Sequence, residues 1–186
     1  MLSAAQRAVQ AGQTVLLGLI QTHGRKETQP LLQNLNQLPL RDIPYGSQTL
    51  KEFDLDAALA AHPEILLVDE LPHSNAPGLR HRKRWQDIEE LLAAGIEVWT
   101  ALNVQHLESL NGTVGAITGI RINETVPDTV LENADEIILI DVTVDALLAR
   151  LKAGKVYVPQ QAQHATENFF KKGNLIALRE IALTHL

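Results

Sequence analysis

Ile65-Leu66-Leu67-Val68 runs directly into Asp69-Glu70, an order that sets two carboxylates at the C-terminal tip of an apolar strand. A continuous apolar run, rather than an alternating one, is what a strand covered on both faces of a parallel sheet requires. Paired acids at such a tip form the pattern of a Walker B strand. There the Asp holds the magnesium of a nucleotide, directly or through water, and a following Glu can orient an attacking water. Solvated acids ending an ordinary strand give the same string, so the pattern asks for companions.

The usual companion is G-x-x-x-x-G-K-[ST], whose backbone amides cradle phosphates, and it does not occur in the 186 residues. Thr22-His23-Gly24-Arg25-Lys26-Glu27-Thr28 comes nearest, with one glycine and different spacing. It reads as a turn between a strand and a helix: either Arg25, Lys26 and the helix N-terminus contact an anion, or the segment only turns the chain. Leu71 to Trp85 forms a loop longer than a connector needs. Its Arg80, His81, Arg82, Lys83 and Arg84 could meet a phosphate, an acidic partner domain or nucleic acid, and a solvated basic loop is the plain alternative. At the next strand tip, Thr100, Asn103, Gln105 and His106 stand where a γ-phosphate sensor would sit. With Asp69, Glu70 and His73 they would make a polar rim at the carboxyl ends of neighbouring strands, where such sheets bind ligands. The seven histidines show no H-x₃-H or HExxH spacing, so no zinc or other protein-held metal centre is expected.

The elements that would position these residues alternate along the chain. Val15 to Ile20, Ile65 to Val68, Ile96 to Trp99 and Ile137 to Ile140 read as buried strands. Met1 to Ala11, Asp56 to Ala61, Trp85 to Ala94 and Val144 to Ala153 read as helices, with Gly95 and Gly154 placed where helices stop. After Tyr157-Val158-Pro159, residues Gln161 to Leu186 read as one or two helices broken near Gly173-Asn174. This alternation predicts an α/β fold: a mostly parallel sheet with helices on both faces, a P-loop NTPase-like (RecA-like) three-layer arrangement lacking the Walker A loop. Residues 1–159 would form the α/β domain and 160–186 its helical extension. A hydrophobic share of 45% with only 4% aromatics implies one Leu/Ile/Val/Ala core. The net charge of −6 and pI near 5.6 argue against broad phosphodiester binding, and no nucleic-acid partner is expected. Cysteine is absent, and no apolar run approaches the length of a membrane span, so a soluble, cytoplasmic chain is expected.

Read in order, several strings resemble the N-terminal cytoplasmic domain of the KdpD sensor histidine kinases, which regulate high-affinity potassium uptake. They are Thr22 to Thr28, Glu52-Phe53-Asp54-Leu55-Asp56-Ala57, Leu67-Val68-Asp69-Glu70-Leu71, His73-Ser74-Asn75-Ala76-Pro77-Gly78 and Lys83-Arg84-Trp85-Gln86-Asp87. Leu102 to Leu110, Gly154 to Pro159 and Phe169 to Leu175 continue the likeness, which covers essentially the whole chain. Pro72, Leu79 and Arg82 depart from the family's more usual Ala, Ser and Pro. The resemblance implies a regulatory module of a two-component potassium- and osmosensing kinase that binds ATP with Mg2+ and tunes the kinase/phosphatase balance. Asp69, Glu70, His73 and Asn103 would serve nucleotide and magnesium, and Arg25, Lys26, Arg80, Arg82, Lys83 and Arg84 phosphate or partner contacts. In the family a Walker A loop lies just ahead of the segment that Met1-Leu2 looks like, so nucleotide binding by this chain should be weakened. The implied partners are the other domains of the kinase, set in the bacterial inner membrane, and its response-regulator pathway; a homodimer is also open. No catalytic residue is expected, because the phosphoacceptor and ATPase domains of the family would follow Leu186. Two rivals remain: a P-loop ATPase or small-molecule kinase using Glu70, and a ligand-free interaction module.

Overall fold

The computed structural model describes residues 1–23, 25, 27–153 and 169–185. The chain divides into two compact units, Met1–Thr22 with Lys26–Leu102, and His23–Arg25 with Asn103–Leu186.

The first unit is built on four parallel strands in the order β2-β1-β5-β6, with β1 at Val15–Leu19, β2 at Asn36–Gln37, β5 at Ile65–Val68 and β6 at Glu97–Trp99. The interior position of β5 explains its composition: Ile65 is 1% exposed, and Leu66, Leu67 and Val68 are 0% exposed, so neither face tolerates a polar side chain. Helix α1, Leu2–Gln10, buries Leu2, Ala5 and Ala8, a stripe at helical spacing. That stripe packs with Val15, Leu17, Leu35, Ile65 and Leu67. Gly18 lies where the β1–β5 register shifts between Leu17 and Leu19, the sign of a bulge. A Cβ there would stand 2.7 Å from Phe53 Cε2 and 3.3 Å from Leu66 Cδ1, so the glycine makes room for Phe53 against the sheet. Helix α2, Leu55–Ala61, starts at Asp54, whose side chain accepts a hydrogen bond from the Ala57 N–H. Helix α3, Arg84–Ala93, is followed by Gly95 at φ +82°, a left-handed stop of the kind anticipated there.

The connection from β1 to β5 holds more than the helices expected. It contains a one-turn 3-10 segment, Gln29–Leu32, then β2, then an antiparallel hairpin of β3, Arg41–Tyr45, and β4, Gln48–Glu52. The hairpin turns at Gly46-Ser47, with Gly46 at φ +58°. Its strands are exposed apart from half-buried Ile43 and Leu50 and buried Glu52, so no long apolar run announces it.

The second unit contains α4, Asn111–Thr118, α5, Asp128–Glu132, α6, Val144–Lys152, and α7, Lys172–His185. Its core includes Leu107, Leu110, Val114, Val126, Leu175 and Leu178. One expectation is corrected here. Ile137 to Ile140 is not a buried strand: Ile138 is 70% and Ile140 78% exposed, and no described residue forms a ladder with the segment. A strand needs a neighbour to satisfy its backbone groups, and an apolar run alone does not supply one. The break expected near Gly173-Asn174 falls just ahead of them, at Phe170-Lys171, between helical Phe169 and the start of α7 at Lys172. Gly24, Lys26, Gly154, Tyr157-Val158-Pro159 and the helix expected from Gln161 to 168 lie outside the described residues. Among those described, no helix is long and apolar enough to cross a membrane.

Candidate functional site

The end of β5 is fixed before any side chain is considered. The Asp69 N–H donates to Leu19 O at 2.9 Å, extending the ladder with β1 to the acidic tip. The Asp69 carboxylate then accepts two backbone N–H bonds, from Glu70 at 2.9 Å and from Gln21 at 3.3 Å. Asp69 and Glu70 are both half-buried. The chain turns sharply at this point, with Glu70 at φ +59°, a left-handed conformation unfavourable for a side chain with a Cβ. The turn closes where the His73 N–H donates to Glu70 O at 3.0 Å. Backbone strain at a residue singled out for chemistry is a mark of sites held in place by their surroundings. Glu70→Gly is expected to leave the fold at least as stable, gaining up to about 1 kcal/mol from relief of the left-handed residue. Urea denaturation checks this, and a clear loss of stability would show that the carboxylate is structural.

What holds the turn is Arg84. This side chain is 2% exposed, and its Nη1 donates to Asp69 O and Glu70 O, each at 3.3 Å. Its Nη2 donates to Glu52 Oε2 at 3.3 Å. Glu52, only 5% exposed in its side chain, also accepts the Ala76 N–H at 3.0 Å and meets His73 Nε2 at 3.1 Å. The sequence reading assigned Arg84 to phosphate or partner contact; the structure places it inside, under the acidic tip. Glu52 was missed, because a lone Glu ending a polar strand carries no motif.

The long loop after β5 folds back on itself rather than lying open. Ser74 and Lys83 form an antiparallel bridge, and the Asn75 N–H donates to Arg82 O at 2.9 Å. Asn75 Nδ2 donates to His81 O at 3.2 Å and to Asp87 Oδ2 at 2.7 Å. Burial pushes the Asp87 carboxyl above its ordinary range against the pull of that Asn75 bond. Lys83 Nζ donates to Ser74 Oγ at 2.7 Å. Arg80 bridges Asp56 of α2 and Glu90 of α3. His81 Nε2 meets Glu90 at 2.6 Å, and the His81 bond, then the Arg80 charge, holds the Glu90 carboxyl below its usual range. Arg82 is exposed.

The structure thus brings Asp69, Glu70, His73 and Arg84 together in the first unit. Asn103 and the half-buried Gln105 and His106 belong to the second, where His106 Nδ1 meets Glu124 O at 2.7 Å. Arg25 is also in the second unit and exposed. The helix expected after Thr28 is only the one-turn 3-10 segment, with Pro30 near its start.

Asp69 and Glu70 offer hard oxygen donors of the kind magnesium takes, usually one or two carboxylates with water and phosphate oxygens completing the shell. The donor set fits that ion. Bound there, magnesium would supply charge neutralisation to a nucleotide's phosphates. Asp69 would be its protein ligand, pre-aimed by its two backbone bonds, and Arg84 would act only through the carbonyls it holds.

All of residues 1–186 match the family described as the osmosensitive K+ channel His kinase sensor domain, KdpD. Among curated proteins, the chain is 57% identical over 183 residues to the "Sensor protein KdpD" of Escherichia coli K12, covering 98% of this chain and 20% of that protein. It is 51% identical over 183 residues to the protein of the same name in Clostridium acetobutylicum, covering 98% of this chain and 20% of the relative. Against the protein of that name in Mycobacterium tuberculosis, identity is 45% over 186 residues, all of this chain and 22% of the relative. The chain therefore spans about a fifth of the length of these relatives. With the whole chain matched and identities this high, the protein belongs to the KdpD family of osmosensitive K+ channel histidine-kinase sensor domains.

Proposed function

We propose that this chain is the regulatory N-terminal domain of a two-component, potassium- and osmosensing histidine kinase. In this reading it has a P-loop, RecA-like nucleotide-binding fold that biases the kinase/phosphatase output of the parent protein. The observation that carries the reading is the Asp69 carboxylate, fixed by two backbone N–H groups at the tip of an interior strand of a parallel sheet. Ligands of such sheets bind beyond the carboxyl ends of the strands. Asp69 takes magnesium, and Glu70 and His73 line the nucleotide. Exposed Arg82 and Arg25, with Lys26, Arg80 and Lys83, serve phosphate or a neighbouring domain. ATP with Mg2+ is the ligand class. The partners are the other domains of the same kinase, held at the bacterial inner membrane with this domain on the cytoplasmic side, and through them a response regulator. The names of the relatives support the reading, since they are called sensor proteins.

The test is made in the parent kinase. Asp69→Asn should abolish the dependence of its kinase-to-phosphatase ratio on ATP supplied to the sensor region, while autophosphorylation itself survives. An unchanged ratio would contradict the proposal.

A second reading is favoured by one feature, the exposed apolar run Ile137 to Ile140. Large apolar patches on a surface mark protein contacts. Here another domain of the same kinase would cover the run, and the second unit would work by contact alone.

A further inference from the structure

The sequence motifs account for Asp69 and Glu70 but leave a buried charged cluster beneath them unexplained. A guanidinium and a carboxylate taken out of water are costly to bury, so they persist where geometry gives them something to hold. The Arg84 fork reaches two consecutive carbonyls, Asp69 O and Glu70 O, with one nitrogen, and Glu52 with the other. Those carbonyls flank the left-handed Glu70. Glu52 is the last residue of the β3–β4 hairpin. Its carboxylate uses Oε2 on Arg84 and Oε1 on the Ala76 N–H, while His73 Nε2 lies 3.1 Å from both oxygens. One carboxylate therefore ties the hairpin, the start of α3, the loop at Ala76 and the turn at His73 to the backbone of the tip.

We propose that Arg84 is the positioning residue of the Asp69–Glu70 site, and that Glu52 sets the site's geometry from the end of the hairpin by holding Arg84 in place. The proposal rests on the reading that the tip binds Mg-nucleotide, and it adds residues outside the motif that decide how well. Arg84 touches no ligand in this scheme. It orients the carboxylates through their own main chain, and supporting groups of this sort typically change metal affinity by about 10–100-fold. Lysine cannot replace it, because a single ammonium lacks the planar fork that spans both carbonyls and Glu52 at once.

Two variants of the full chain test this, Arg84→Lys and Glu52→Gln. Gln keeps an acceptor for Ala76 and removes the charge. Backbone amide resonances of Asp69 and Glu70 are recorded without ligand, with Val15 and Ile65 at the other end of the same strands as the check on folding. Mg-ATP is then titrated. Expected are displaced Asp69 and Glu70 resonances in both variants, undisturbed Val15 and Ile65, and roughly tenfold weaker Mg-ATP binding. A folded Glu52→Gln protein whose tip resonances match those of the parent chain would overturn the proposal, as would equal Mg-ATP affinity. If the parent chain itself binds no Mg-ATP, the nucleotide reading fails, and the ligand-free resonances still decide whether Glu52 and Arg84 position the tip.

Discussion

Glu52→Ala should cost about 3–5 kcal/mol of folding stability, the penalty typical of removing one partner from a buried ion pair. The Arg84 side chain, 2% exposed, would keep its charge in the interior without the carboxylate that now meets it at 3.3 Å. The Ala76 N–H would lose its acceptor as well. In a protein of this size each kcal/mol lowers Tm by about 2–4 °C, so a thermal melt should fall by roughly 6–20 °C. The double variant Glu52→Ala, Arg84→Met should be milder than the single one, because an apolar pair leaves no uncompensated charge. A single variant as stable as the double would show that the pair is solvated and that the burial argument fails.

Leu67→Ala should cost about 2–5 kcal/mol, the range for emptying a fully buried leucine site. Leu67 is 0% exposed, pairs across to Leu17 on one side and Trp99 on the other, and packs in the cluster that includes Leu2, Ala5 and Ala8 of α1. A sheet interior bounded by main chain on both sides relaxes little, which places the expected loss in the upper half of that range. Ile138→Ala provides the contrast. At 70% exposure, its loss should stay within about 0.5 kcal/mol. Urea denaturation of the two variants measures the difference, and equal losses would mean that Ile138 is buried in solution.

That contrast shows what the sequence could convey. Ile65 to Val68 and Ile137 to Ile140 are both continuous aliphatic runs, and propensity treats them alike. Among the described residues, only the first has strands hydrogen-bonded on both sides, and pairing is a property of the whole fold rather than of a run of four residues. The strands at Val15, Ile65 and Ile96 were legible as continuous apolar runs, although β6 is not the buried strand expected, with Glu97 exposed and Val98 and Trp99 half-buried. Helices α1 to α3 were legible from apolar residues at helical spacing. The β3–β4 hairpin was not, since it turns mainly exposed, polar strands to solvent. At the site, Asp69 and Glu70 stood out by type and position. Arg84 was noticed as a positive charge in a basic run, and its neighbours Arg80 to Lys83 suggested a surface. Its role depends on Glu52, 32 residues away, and on main-chain carbonyls that no side-chain pattern displays.

The Asp69 tip is proposed to take Mg-nucleotide. The most direct test of this is calorimetric titration of Mg-ATP into this chain and into its Asp69→Ala variant. Saturable binding that weakens at least about tenfold in the variant, on the scale of losing a charge-assisted ligand contact of 1.4 kcal/mol or more, is the result predicted. Heat indistinguishable from dilution with the parent chain, or equal affinity in the two proteins, would contradict it.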